Sequence, residues 1–208
     1  MQDTFYIGLD LGQMQDFTAL TVLQEVPTPG GLKPWAHHLR HAERLPLGTT
    51  YTAIAEHVRS VQARPALASA RTVVVVDTTG VGLPVFEMLR AAGVTGLVGV
   101  TIHSGDAVTR DGAIHRVPKR DLVSTLQVLF QSGRLKIADG LEHGPVLRHE
   151  LQSFKAKINL STGHDSYEAW REGDHDDLVL SLAMACWFAE SARPQFDARD
   201  LPQVRRAW

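Results

Sequence analysis

Residues 173–190 read GDHDDLVLSLAMACWFAE, and no other stretch constrains the fold as much. Three aspartates, Asp174, Asp176 and Asp177, run straight into a segment where every residue from Leu178 to Ala189 except Ser181 is hydrophobic. A helix that is apolar on all sides has to be buried on all sides. Carboxylates at its mouth cost free energy unless a cation or hydrogen-bond donors compensate them. Taken singly, each acid also reads as a capping residue suited to the helix dipole.

Two more acids share this setting. Asp10 lies in TFYIGLDLG, where Phe5, Ile7, Leu9 and Leu11 alternate with Tyr6, Gly8, Asp10 and Gly12, a strand pattern. Asp77 ends RTVVVVD, whose unbroken valines predict a strand buried on both faces. Ligands bind at such strand ends in open α/β sheets. Read alone, Asp10 is also a strand-end turn residue and Asp77 a cap for the following helix. Together they form a constellation, three acids on three otherwise apolar elements. Hard oxygen ligands without cysteine point to Mg²⁺ or Mn²⁺ rather than zinc.

The rest of the chain predicts an α/β fold with a mixed sheet, an antiparallel meander followed by parallel strands, flanked by helices. Strands are expected at 18–26 and 34–45, and a helix after Thr50 with Ile54, Val58 and Val61 on one face. LPVFEMLRAAG reads as a helix ended by Gly93, and VTGLVGVTI as the strand after it, a parallel crossover. Asp111-Gly112 marks a hairpin, Pro118 a helix start, and RLKIA a short strand. PVLRHELQSFKA reads as a helix, and KINL with YEAW as a hairpin around Ser161–Gly163. One domain is expected over residues 1–192, with a polar, proline-broken tail over 193–208.

Composition excludes several classes. With 208 residues and 44% hydrophobic content, a full core needs no disulfide, and the lone Cys186 cannot form one within the chain. No apolar run reaches the ~18 residues that span a membrane, and the N-terminus reads as a strand rather than a signal peptide. A net charge of −2 does not advertise nucleic-acid binding, so a local basic patch is required. Residues 110–120 supply one: Arg110, His115, Arg116, Lys119 and Arg120 against the single acid Asp111. An ordinary solvated hairpin is the plainer alternative. Lys155 and Lys157 form a weaker cluster. The ten histidines lack zinc-site spacing and are expected mostly at the surface, His175 beside the acids being the exception. There is no G-x-x-x-x-G-K-[ST] loop and no G-x-S-x-G elbow.

In that order and at that spacing, GLDLGQMQDFTAL, VVVVDTTGVG and HDDLVLSLAMA resemble the C-terminal nuclease domain of tailed-bacteriophage terminase large subunits. VPKRDLVSTLQVLFQSGRLKI resembles the segment between that family's second and third acidic motifs. The likeness covers about residues 4–190. GLDLG alone is also how sugar kinases and actin-like ATPases begin. The resemblance implies an RNase H-like, RuvC-type fold and a two-metal endonuclease that cuts concatemeric double-stranded viral DNA during packaging, in the cytoplasm of an infected bacterium. By motif match Asp10, Asp77 and an aspartate of the HDD would hold two Mg²⁺ or Mn²⁺ ions; Asp176, Asp174 and His175 are the auxiliary candidates beside Asp177. Implied partners are double-stranded DNA and, in a parent protein, a packaging ATPase domain, the small terminase subunit and the portal. Without a P-loop the chain is either an excised domain or a stand-alone relative. The alternatives are a RuvC-like Holliday-junction resolvase or other RNase H-fold nuclease and, further off, an actin-like ATPase or sugar-kinase fragment.

Among the HDD acids, helical geometry favours Asp177. Ser181 and Ala185 lie about 40° and 80° from it around the helix, so a face of small residues can approach the sheet. Asp176 sits about 100° away on the other side.

Overall fold

The protein, as a computed structural model, is described over residues 3–12, 16–28, 35–80, 82–160 and 176–191, with backbone alone for 154–160. The strands are β1 (Thr4–Asp10), β2 (Ala19–Val26), β3 (Ala36–Arg44), β4 (Arg71–Asp77), β5 (Leu97–His103), β6 (Thr109–Asp111), β7 (Ile114–Pro118) and β8 (Leu135–Ile137). They form one sheet in the order β6-β7-β5-β4-β1-β2-β3-β8. β1, β2 and β3 are the expected antiparallel meander, and β4 and β5 continue parallel to β1. This order, with β1 central and β4 and β5 beyond it, is the RNase H-like arrangement. β8 pairs parallel to β3 at the far edge, a placement that its three residues did not reveal.

The helices are α1 (Tyr51–Gln62), α2 (Pro65–Ala68), α3 (Gly82–Ala91), α4 (Lys119–Gln131), α5 (Gly144–Leu160) and α6 (Asp177–Ser191). Thr50 caps α1 as its sequence position suggested, accepting from Ala53 N at 3.3 Å. α5 runs through Leu160, so KINL is helical and not the first arm of a hairpin. The other arm, and the tail from 193, lie outside the described residues.

Strand alternation sorts the core into two layers. On one face Phe5, Ile7, Leu9, Leu20, Val22, Val74 and Val76 join Ile54 and Val58 of α1 and Phe86 and Leu89 of α3. On the other, Tyr6, Leu23, Leu39, Val73 and Val75 join α6, Leu122 and Leu126 of α4, and Leu147 of α5. α6 is buried on all sides from Asp177 to Trp187, as its composition requires. Cys186 sits within it, and burial pushes its thiol pKa up, which makes it inert.

Two details set how α6 lies. Gly8 of β1 faces Ser181, and a Cβ there would strike the Ser181 carbonyl, so only glycine lets the helix this close. Ser181 Oγ donates to Gly8 O at 3.0 Å and lies 2.8 Å from Thr21 Oγ1. Further along the helix, Phe188 meets Tyr6, ring centroids 6.3 Å apart. α6 therefore runs back across β1, its N-terminus toward Asp10.

β3 carries a bulge. Val22 pairs with His41 and Leu23 with Leu39, which leaves Arg40 as the extra residue. Leu39 and Ala42, three apart, consequently enter the same core layer beneath α6.

Candidate metal and nucleic-acid site

Asp10 and Asp77 end adjacent parallel strands. Leu9 is in register with Val76, so the next residues, both acids, stand side by side on the α6 face. Neighbouring strands are ~4.8 Å apart. Stepping from Ser181 back to Asp177 covers ~6 Å of helix, and stepping from Gly8 to Asp10 covers ~6.6 Å of strand. These matched steps bring the N-terminus of α6 to the acid end of β1. Asp10, Asp77 and Asp177 are 8%, 6% and 8% exposed. Asp77 Oδ1 accepts from Thr79 N at 2.7 Å, a turn bond that orients the carboxylate without capping α3, which begins at Gly82.

The loop after Asp77 is pinned by threonines. Thr78 Oγ1 lies 2.8 Å from Thr101 Oγ1, and Thr79 Oγ1 accepts from Ile102 N at 2.9 Å. The β1–β2 loop is tied at its neck, where Gly12 N donates to Thr18 Oγ1 at 3.1 Å. Both acid-bearing strand ends are thus held in place by their own loops.

Sequence reasoning missed two residues at this site. Glu150 of α5 is 5% exposed, and its Oε2 accepts from Val179 N at 3.0 Å, capping α6 from outside. Arg44 of β3 donates from Nη2 to Glu150 Oε1 at 2.6 Å, and the same nitrogen lies 3.4 Å from Asp177 Oδ2. The guanidinium also covers the Phe17 ring, 4.9 Å from its centroid. Burial is the largest influence on the Glu150 carboxyl and pushes its pKa up to about 7; Asp177 and Asp176 add to the rise, while Val179 N–H and Arg44 oppose it. The bulge at Arg40 is what aims Arg44 here, because unbroken alternation from Leu39 would turn it to the opposite face. A signal for Glu150 existed in its spacing. It follows Leu147 by three and adjoins Leu151, which puts an acid on the apolar stripe of its helix.

Asp176 immediately precedes α6, and its carbonyl accepts from Leu180 N at 2.9 Å. Asp174 and His175 lie outside the described residues. Among the described residues, no three His, Cys, Asp or Glu side chains are assembled to hold an ion as they stand. The donors nonetheless suit a hard divalent cation in type. They are all carboxylates, they are buried, and they come to one corner of the fold from three elements.

The basic segment divides when folded. Arg110 and Arg116 are exposed on β6 and β7 at the sheet edge, and Arg110 Nε donates to Gly112 O at 2.8 Å. His115 points the other way and packs on Trp187 and Phe188, with ring centroids 5.5 and 5.7 Å away. Burial first, and then Arg110, lower its pKa. Lys119 and Arg120 open α4. Arg120 holds Asp106 through Nη1 at 2.5 Å, so an acid beyond the 110–120 window meets the cluster. The side chains of Lys155 and Lys157 are outside the described set.

The expectation that the histidines are mostly surface residues fails at His37. It is fully buried, with Nε2 2.7 Å from Glu190 Oε1, and Arg134 Nη2 binds Glu190 Oε2 at 2.7 Å. The C-terminus of α6 lies over β3 and β8 and brings these groups together.

No family model matches the chain, and no curated protein matches it. Among solved structures it is similar to the human cytomegalovirus terminase nuclease domain, with 18% identity, 90% of this chain and 83% of that one covered, and a TM-score of 0.48. A manganese-soaked form of that domain gives 15% identity, coverage of 88% and 82%, and a TM-score of 0.47. Thermus thermophilus RuvC gives 13%, 90% and 94%, and 0.45. No helix among the described residues is long and apolar enough to cross a membrane.

Proposed function

We propose that this protein is a metal-dependent endonuclease that hydrolyses phosphodiester bonds of double-stranded DNA, in the service of viral genome packaging. One observation carries the reading. Two buried carboxylates, Asp10 and Asp77, stand in register at the ends of adjacent parallel strands, beneath a buried helix that begins with a third, Asp177.

Asp10, Asp77 and Asp177 would hold two Mg²⁺ or Mn²⁺ ions. When bound, such ions clamp a scissile phosphate and lower the pKa of an attacking water. The chain's own contribution is geometric. The threonine-pinned loop orients Asp77, the Ser181–Gly8 contact fixes the depth of Asp177, and the apolar surroundings hold the carboxylates where their charge is costly until a cation arrives. Exposed Arg110 and Arg116 at the sheet edge, with Lys119 at the head of α4, offer phosphate contacts that position a duplex without reading sequence. Packaging partners follow only from the motif resemblance.

The test is plasmid nicking with Mg²⁺, Mn²⁺, Ca²⁺ or EDTA, for wild type and Asp77→Asn. Cleavage that needs Mg²⁺ or Mn²⁺ and vanishes in Asp77→Asn is expected. Cleavage that survives EDTA refutes the reading, and a strong preference for four-way junctions moves it to a resolvase.

A further inference from the structure

Arg44 stands between two acids and belongs more to one of them. Its Nη2 is 2.6 Å from Glu150 and 3.4 Å from Asp177, and its side chain is only 14% exposed. An arginine this close to a would-be cation ligand is a rival cation. Left to itself it would neutralise Asp177 and repel a divalent ion. Glu150 is placed to prevent that. It is buried, it comes from a different element, and its two oxygens are used separately, Oε2 on Val179 N–H and Oε1 on Arg44. The backbone bond fixes the carboxylate at the N-terminus of α6, so its other oxygen draws the guanidinium to a set position.

We propose that Glu150 is a positioning residue that sequesters the Arg44 guanidinium, keeping the Asp177 carboxylate available to a divalent cation. This rests on the reading that Asp10, Asp77 and Asp177 hold such a cation. Both charge and reach are needed, since a carboxylate set back by one methylene cannot hold Arg44 and Val179 N–H together.

The experiment is a Mn²⁺ titration of the full chain at pH 8, with free Mn²⁺ followed by electron paramagnetic resonance, for wild type, Glu150→Asp, Arg44→Gln and the double variant. A neighbouring unit charge changes a carboxylate's cation affinity by about tenfold or more. Glu150→Asp, which keeps the charge and loses the reach, should weaken Mn²⁺ binding by about that factor. Adding Arg44→Gln should restore it to wild-type strength or better. Wild-type affinity in Glu150→Asp would mean that only net charge matters and overturns the proposal. Weakening that Arg44→Gln does not rescue would mean that Glu150 merely supports α6, and overturns it too. If Glu150→Asp does not fold, Glu150→Gln decides, since it keeps the reach to Val179 N–H and loses the charged hold on Arg44: Mn²⁺ binding that weakens and is restored by adding Arg44→Gln supports sequestration, and wild-type binding or weakening without rescue refutes it. Failure of the nuclease reading looks different. In that case wild type shows no Mn²⁺ binding that Asp77→Asn removes, and both ideas fall together.

Discussion

Glu43 and Arg44 are consecutive residues of β3, and they serve two carboxylate clusters on opposite faces of the sheet. On the α1 face, Glu43 Oε1 lies 2.6 Å from His57 Nε2 and 3.3 Å from His41 Nε2. On the α6 face, Glu150 meets one arginine and lies near Asp176 and Asp177. Burial is the largest influence on both acids and pushes both upward. At Glu43 the hydrogen bonds and charges of two histidines overcome it and hold the pKa down to about 2. At Glu150 burial wins, helped by two aspartates, and the pKa rises to about 7. A buried acid with enough donors is a structural joint. A buried acid among other acids costs stability, and such costs concentrate where a protein binds something.

The sharpest way to break this contrast is cleavage. Asp177→Asn should lower plasmid nicking by at least about a hundredfold, as loss of several kcal/mol of charge stabilisation implies. Glu43→Gln should leave it within about twofold, since Glu43 points to the opposite face of the sheet from Asp10, Asp77 and Asp177. Comparable losses in both variants would erase the distinction.

Stability against pH comes next, and here the two clusters have opposite signs. The Glu150 pKa is raised above its unfolded value of 4.5, so its contribution is fully present below pH 4.5 and is lost as pH rises through about 7. The melting temperature of wild type relative to Glu150→Gln should therefore fall between pH 5 and pH 8, by on the order of 5 °C for ~2 kcal/mol. The Glu43 pKa is depressed, so its contribution is present above pH 4.5 and is lost as pH falls toward 2. Relative to Glu43→Gln, wild type should lose about 2–3 °C between pH 5 and pH 3, the smaller figure reflecting histidines that are partly exposed and screened. Calorimetry across that range checks both, and slopes of the same sign would defeat the comparison.

The smallest effect belongs to the sheet edge, far from either cluster. Arg116→Glu should leave the melting temperature unchanged and reduce the salt slope of duplex binding by about one to two charges, read by fluorescence anisotropy. Arg116 is a cleaner test than Arg120, which already holds Asp106.

Legibility in the sequence followed the same division. Asp10, Asp77 and Asp177 stood out because each interrupts an apolar element, and period-2 alternation placed Asp10 and Gly8 on one face. α6 was legible because only a buried helix tolerates that composition. Glu150 was obscured by the ordinary charge of its helix, where RHE reads as a solvated turn unless its spacing from Leu147 is weighed. Arg44 and His37 were hidden by AHHLRHAER, a strand whose polar residues conceal which face is buried. Its bulge is set by pairing with β2, a contact between segments that no local pattern records.

That bulge has a consequence of its own. Strand β3 is written in two phases, odd-numbered residues facing α6 up to Leu39 and even-numbered ones from Ala42 onward, and Arg40 is the point where parity changes. Deleting Arg40 removes the extra residue together with the bulge, so Leu39, His41, Ala42, Glu43 and Arg44 would alternate without a break and keep the faces they have now; both carboxylate clusters and both pH slopes should survive it. Flattening the bulge with Arg40 still in the strand would do the opposite, turning Glu43 toward Glu150 and Asp177 and Arg44 toward His57. The bulge thus absorbs one surplus surface residue and keeps two incompatible electrostatic environments on their proper sides of the sheet.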